Sequence, residues 1–482
     1  MRRAWLALGV SLAAVGTPPA RGQCYPWELA KLVVSDAAAN DNLGQRIAIS
    51  GDTALAAAAG RDLPAGINAG AAYVFVQAAG VWVQQAMLTA ADAAAGDCFG
   101  TAVAVSGDTA VIGASAKHLG TINDAGAAYM FVRSGDVWTQ QARLTAADAA
   151  AGDYFGGAAA VDGDTAAIGA DWSDQAAKAN AGAAYVFVRS AGVWLQQAKL
   201  IAGDAAASDS FGYALALDGD TVVVGAPYSD RAGAADAGAA YVFVRAGDVW
   251  TQQAKLTASD AAYADAFGYA VAADGDRVVV GAPYVDRAGA ADAGAAYVFV
   301  RAGDVWTQQA KLTAADAAPL DRFGNSVALA GDTALIGACY DDHPGGTDAG
   351  AAYVFVDSRG VWTQQAKFTA ADAAAGDSFG SVALAGSTAV VGAWRDDRAG
   401  ATDAGAVYVF HLNCAFPGDL NCDEAVDFDD IVPFVLAIVS QAGYEAHFPH
   451  CRWLNADVNG DGSVDFDDIN PFVPCLVAGR CP

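Results

Sequence analysis

Tryptophan recurs at Trp82, Trp138, Trp194, Trp250, Trp306 and Trp362, always 56 residues apart. The glycine of a Phe-Gly pair keeps that interval at Gly100, Gly156, Gly212, Gly268, Gly324 and Gly380, and Leu43-Gly44 supplies a seventh copy. A fixed period of this length confines the chain to repeat architectures. The unit from Phe211 to Thr257 narrows the choice. Phe211 to Leu217 alternates as a strand does, Asp218-Gly219 reads as a two-residue hairpin turn, and Thr221 to Ala226 is the return strand. A longer loop to Gly238 leads to a third strand at Ala240 to Val244, a turn at Gly247-Asp248, and a fourth strand from Trp250 to Leu256. No 3.6-residue periodicity appears, which argues against helical solenoids. The expected fold is all-β, a seven-bladed β-propeller of four-stranded antiparallel blades.

Residue size suits that packing: small residues on the first strand for the crowded axis, Tyr-Val-Phe and Trp on the outer strands for the wider gaps between blades. The last unit stops after its third strand, Val407 to Phe410, and Trp27 to Val33 matches the missing fourth. A ring closed by its own N-terminus has no free sheet edge. Aligned on the sixth unit, Cys24 and Cys414 both fall at the turn position of Arg359, so a Cys24–Cys414 disulfide is expected to lock the ring; the alternative leaves Cys24 on a frayed end. Cys98 and Cys339 belong to distant units and read as small buried side chains.

Charge and address limit the partners. With 54 acidic against 26 basic residues the formal net charge is −28, which excludes nucleic acid as a partner. Only Glu28, Glu424 and Glu445 are glutamates, so the acids are nearly all aspartate, a residue of turns and caps. Arg2 and Arg3, an apolar stretch from Trp5 to Val15, and Ala20-Arg21-Gly22 read as a secretory signal peptide over 1–22. No other stretch is apolar enough for a transmembrane segment, so a secreted or cell-surface monomer is expected, in a compartment that permits disulfides.

The order Phe-Gly, then Gly-Ala-Pro (Gly225 to Pro227, Gly281 to Pro283), then Gly-Ala-Ala-Tyr-Val-Phe resembles the FG-GAP repeat, a family that includes the integrin α N-terminal propeller. The resemblance covers residues 25–410 of a propeller placed at 24–410, and implies adhesion or binding. Integrin-type blades often hold calcium in a long Asp-rich loop; the tight turns at Asp218-Gly219 and Asp274-Gly275 predict none here. Loops joining successive blades each carry two aspartates: Asp36/Asp41, Asp92/Asp97, Asp148/Asp153, Asp204/Asp209, Asp260/Asp265, Asp316/Asp321 and Asp372/Asp377. They form either an acidic ring for cations or basic partners, or acceptors for loop amides, the second explaining their strict recurrence better. The loops between strands two and three vary most. They offer Trp172, Tyr228, Arg231, Tyr284, Arg287, Tyr340, His343, Trp394 and Arg398 as candidate ligand-binding residues, for a glycan or a protein; the alternative is that the aromatics only plug blade junctions.

After a linker at 411–417, residues 418–482 carry two near-copies of a twelve-residue pattern. Oxygens at positions 1, 3, 5, 7, 9 and 12 are Asp419, Asn421, Asp423, the Ala425 carbonyl, Asp427 and Asp430 in the first copy. The second supplies Asp457, Asn459, Asp461, the Ser463 carbonyl, Asp465 and Asp468. This EF-hand spacing predicts two Ca2+ ions, and each copy continues into a short helix at Ile-x-Pro-Phe-Val. The duplicated loop-helix pattern resembles a type I dockerin, which implies a cohesin-like or cell-surface partner. Where that family often has Ser-Thr, Phe428-Asp429 and Phe466-Asp467 stand here. Cys422–Cys451 and Cys475–Cys481 are the disulfides expected to staple so small a module. No unique constellation of catalytic side chains breaks the repeat, so the leading expectation is a non-catalytic binding or adhesion protein. The rival is a polysaccharide-acting enzyme, or an accessory subunit of a dockerin-bearing degrading system.

Overall fold

In the computed structural model, which describes residues 25–287, 289–398, 400–413, 419–421, 426–448, 451, 453–456, 458 and 463–478, the described strands form seven four-stranded sheets. Each first strand packs beside the first strands of its two neighbours, the seventh blade meeting the first, so the circle closes. The fourth blade is typical, with antiparallel strands Ala214–Asp218, Thr221–Ala226, Ala239–Ala246 and Val249–Leu256. Its second strand is buried along its whole length, whereas the fourth strand is exposed at intervals and forms the outer rim.

Two expectations need correction. Asp218 pairs with Thr221, so the two-residue turn is Gly219-Asp220, one residue later than the sequence suggested. Gly219 takes φ +54° and Asp220 stays negative, a turn that needs the glycine at its first central position. Phe211-Gly212 precedes the first strand instead of lying in it. Phe211 forms a parallel bridge to Gly182 of the preceding blade, and Gly212 N–H donates to the Gly225 carbonyl (3.0 Å). The pair therefore ties blades together, with the Phe211 ring against Tyr241 and Phe243 (5.5 and 5.9 Å between centroids). Further out, Trp250 Nε1 donates to Gln197 of the preceding blade (2.8 Å) under the Arg245 guanidinium.

The strand Tyr25–Leu32 is the outer strand of the last blade, beside Ala406–Asn413. Trp27 meets His411 edge-on at 4.4 Å, and Lys31 pairs with Asp372 (2.7 Å), as Lys255 does with Asp204 in the fourth blade (2.7 Å). The preceding strand runs to Asn413, three residues beyond Phe410, so the linker begins after it. Residues 1–22, Cys24 and Cys414 lie outside the described residues. Cys98 and Cys339 are free thiols.

The chain divides into two compact units, 26–412 and the segment from 413 onward. The second contains helices Ile431–Val439, Gln441–His447 and Ile469–Ala478 around a small core with Leu420, Phe434, Tyr444 and Phe472. Among the described residues no helix is long and apolar enough to cross a membrane.

Candidate functional site

The two aspartates of each blade-linking loop do different work. Asp204 receives hydrogen bonds from the Tyr241 hydroxyl (2.9 Å) and Lys255 (2.7 Å). The same arrangement joins Asp148 to Tyr185 and Lys199, Asp260 to Tyr297 and Lys311, Asp316 to Tyr353 and Lys367, and Asp372 to Tyr408 and Lys31. Arg143 replaces the lysine at Asp92. In the first blade Met87 stands at the lysine position, and Arg61 from the neighbouring loop supplies the cation to Asp36 (2.7 Å). The second aspartates, Asp41, Asp97, Asp153, Asp209, Asp265, Asp321 and Asp377, are all buried. Each accepts the backbone N–H three residues before it, as Asp321 does from Ala318 (2.6 Å). The second aspartates thus accept loop amides, as the recurrence suggested, whereas the first are held by tyrosine and lysine or arginine side chains.

These roles set opposite titrations. Burial would raise Asp204, but hydrogen bonds from Lys255 and Tyr241 outweigh it and hold the carboxyl below its usual range. Burial pushes Asp321 and Asp377 up to about 6, against the lowering effect of the Ala318 and Ala374 N–H groups. A raised carboxyl stabilises the fold fully below its unfolded value of about 4, and that contribution is lost as pH rises through 6. The depressed carboxyls stabilise above about pH 4 and lose their contribution as pH falls through their lower values. Stability should therefore be greatest near pH 4 and fall between about pH 4 and 6, by on the order of 1–2 kcal/mol for each of Asp321 and Asp377. Thermal melts of the Asp321→Asn/Asp377→Asn variant should show a flatter profile from pH 4 to 7; an unchanged slope would refute the assignment.

The long loop between strands two and three of each blade lies against the linking loop of the next. Ala264 N–H donates to Ala235 O (2.9 Å), Ala266 to Asp236 (3.1 Å) and Phe267 to Ala237 (3.0 Å). Ala266 and Asp236 both adopt left-handed backbone, φ +53° and +52°, and the pair recurs at every junction, as at Arg322/Asp292 and Ser210/Asn180. That conformation costs about 1 kcal/mol on a residue with a Cβ, and the rung of hydrogen bonds holds it.

Within these loops the candidate residues divide by chemistry. Arg231, Arg287 and Arg398 donate to backbone carbonyls of the adjoining linking loop, Ala258 (2.6 Å), Ala314 (2.8 Å) and Val34 (3.1 Å), and so act as staples. His343 is engaged inside its own loop: Nδ1 accepts from Gly345 N–H (3.0 Å) and Nε2 lies 3.1 Å from Gly350 O. Trp172 and Tyr228 remain 51% and 38% exposed, and Tyr284, Tyr340 and Trp394 are half-buried. With residues of the blade-linking loops and those just before the inner strands they form an aromatic arc. Tyr154 meets Trp172 (5.3 Å), Tyr213 meets Tyr228 (6.3 Å) and Tyr269 (5.0 Å), Tyr269 meets Tyr284 (6.0 Å), and Arg322 lies between Tyr284 and Tyr340 (5.1 and 4.7 Å). Arg395 covers Trp394 at 4.2 Å.

Between the third and fourth blades this arc opens into a cleft of about 330 Å³ lined by Trp172, Tyr213, Tyr228, Asp171, Asn180 and Asp236, with Ser208 and Ser210. Burial pushes the Asp171 carboxyl up to about 6. Beside it, Tyr213 also lines the axial channel, a space of about 190 Å³ that includes Arg46 and Asn325.

In the C-terminal unit the two copies superpose in their bonding. Asp430 is fully buried; one oxygen accepts the N–H groups of Leu420 (2.6 Å) and Asn421 (3.0 Å), the other that of Asp427 (2.9 Å). Asp468 is equally buried and accepts from Val458 (2.8 Å) and Asp465 (3.0 Å). Asp427 and Asp465 each cap the short helical turn that follows. Asp419 is buried beside Asp430, and both charges push the buried Tyr444 hydroxyl further upward. Buried carboxylates folded around by loop amides fit a hard oxygen-seeking cation. Among the described residues no three acidic, His or Cys side chains converge as a complete metal set; Asp423, Ala425, Asp457, Asn459 and Asp461 lie outside them. Cys451 and Cys475 are each disulfide-bonded, and their expected partners, Cys422 and Cys481, also lie outside.

The FG-GAP repeat family model matches residues 27–75, 82–131, 138–187, 194–243, 250–299, 306–355 and 362–410. The chain belongs to the FG-GAP repeat family. No curated protein matches it.

The two signatures of an FG-GAP repeat are one contact in this chain. A Cβ placed on Gly225, of Gly-Ala-Pro, would fall well inside contact with the carbonyl oxygen of Gly268, the Phe-Gly glycine of the next blade. A Cβ on Gly268 would in turn strike Ala239 O. Backbone thus meets backbone at six of the seven junctions, Ala57 standing in the glycine's place between the first and second blades. Sequence reasoning passed over Asp171, Ser210, Tyr213 and Arg322. The available signal was positional: Asp171 is the only carboxylate at the site held by Pro227 in the fourth repeat and Pro283 in the fifth.

Proposed function

We propose that this FG-GAP protein is an exported, non-catalytic binding or adhesion protein. Its propeller recognises an extracellular glycan or protein through the loops between strands two and three, and its C-terminal unit is a calcium-stabilised attachment module. One observation carries the reading. Aromatic rings, exposed at Trp172 and Tyr228 and half-buried elsewhere, follow one another across several blades on the side where the loops vary, while the repeated acids and loop arginines are engaged in holding the blades together. Large aromatic faces with satisfied scaffolding beneath them suit recognition better than turnover. A glycan and matrix-protein array probed with the full chain, in calcium and in chelator, tests this directly. Binding in the array with no sugar released from polysaccharide supports the reading; turnover lost on Asp171→Asn would overturn it.

Calcium follows from the oxygen pattern of the two loops and the buried Asp419, Asp430 and Asp468. The ions would be held by those residues with the remaining loop oxygens, neutralising carboxylates that the fold takes out of water. At a thousandfold excess over its dissociation constant, calcium stabilises its unit by about 4 kcal/mol. Calorimetry of the full chain should resolve a transition that rises with calcium and falls with chelator, and Asp430→Asn/Asp468→Asn should abolish that response. A scan indifferent to calcium would remove the ion from the account.

A further inference from the structure

We propose that the cleft between the third and fourth blades is a subsite for one neutral sugar ring, stacked on Trp172 and held by Asp171, Asn180 and Asp236. The proposal rests on the binding role above and names the ligand class of one part of that surface. Its ground is a comparison of equivalent junctions within the same ring. Between the fifth and sixth blades, the residue before Phe-Gly is Arg322, whose guanidinium fills the gap between Tyr284 and Tyr340. Between the second and third, that position is Tyr154, which meets Trp172 in a T-shaped contact (5.3 Å between centroids). There the aromatics do plug the junction. Between the third and fourth the position is Ser210, with the same left-handed backbone (φ +53° against +54° at Arg322), and the gap stays open.

Three substitutions confined to this junction make the opening polar. Asp171 replaces the proline of the next two repeats. Gly157 stands where they have Tyr213 and Tyr269, and a Cβ there would lie 3.3 Å from Asp171 Oδ1, so the missing side chain leaves room for the carboxyl. Trp172 replaces tyrosine and is half exposed. An aromatic face with a few convergent acceptors in a cavity of this size is the usual form of a small-ligand site. The C–H face of a pyranose matches the indole, and its hydroxyls match the carboxyl and amide oxygens. Two carboxylates in the wall, on a chain of net charge −28, select against uronates and sulfated sugars.

The full chain, with calcium present, should be titrated against immobilised cello-, xylo- and manno-oligosaccharides, with polygalacturonate as the anionic probe and matrix proteins arrayed alongside. Binding to at least one neutral series is expected, weakened tenfold or more by Trp172→Ala. Ser210→Arg should weaken it equally by reproducing the plug that Arg322 makes, on a backbone that already carries arginine at that position. Tyr263→Ala, which removes an exposed ring from the following linking loop, should leave it unchanged. Wild-type affinity in both Trp172→Ala and Ser210→Arg, or tighter binding of polygalacturonate, overturns the subsite while leaving the wider binding role standing. No binding to any sugar also overturns it, and the wider role falls only if the matrix proteins are ignored as well.

Discussion

Gly225→Val should leave no folded propeller. The branched side chain would have to occupy space held by the Gly268 carbonyl, and both backbones are tied within their own blades, Gly225 O accepting from Gly212 N–H and Gly268 N–H donating to Gly281 O (both 3.0 Å). Overpacking a core side chain costs about 1–3 kcal/mol; a backbone-to-backbone clash exceeds that range and approaches the whole stability of an ordinary domain. The expected readout is loss of cooperative thermal unfolding and recovery in the insoluble fraction. Ala79→Asn is the control: it changes a left-handed turn position (φ +50°) that already carries a Cβ, and should melt within a few degrees of wild type. A soluble, cooperatively melting Gly225→Val would show that the blades are not joined where the two glycine signatures meet.

Removing residues 1–33 should be nearly as damaging by another route. The last blade would lose its outer strand, exposing the backbone edge of Ala406–Asn413. Asp396, buried, would lose Lys31 (2.6 Å), and Asp372 would lose the same cation. An unpaired edge of that length is a template for another chain, and a buried carboxylate without its cation costs about 3–5 kcal/mol. Size-exclusion chromatography should show aggregates or strand-swapped oligomers. A peptide spanning residues 25–33, added during refolding, should restore part of the monomer. A truncated chain that stays monomeric with wild-type stability would mean the N-terminal strand is dispensable to the ring.

The ring was readable because its evidence is one-dimensional. A 56-residue interval and an unfinished last unit need no coordinates, and Trp27 to Val33 matched the place that Tyr25–Leu32 occupies. The hairpin turn was misplaced by one residue because Asp-Gly and Gly-Asp look alike in sequence, and only φ distinguishes which central position is left-handed. Lys255 and Asp204 keep a constant separation of 51 residues, so their pairing was written in the repeat, yet nothing in one unit says which neighbour the lysine reaches. The cleft was harder still. It exists through what Ser210 and Gly157 fail to fill, and an omission becomes a shape only when the surrounding rings are placed. In the second unit the helix starts at Ile431 and Ile469 followed directly from the motif.

The meeting of the first strand with the last makes the starting point of the propeller chain arbitrary. Trp27 lies against His411, so a short bridge could join the strands that contain them, and new ends could be cut between Gly219 and Asp220 without removing any pairing within a blade. Such a circular permutant would carry its seam in a tight hairpin instead of across an outer rim, and its folding rate relative to the parent would reveal whether assembly waits for the two ends to find each other.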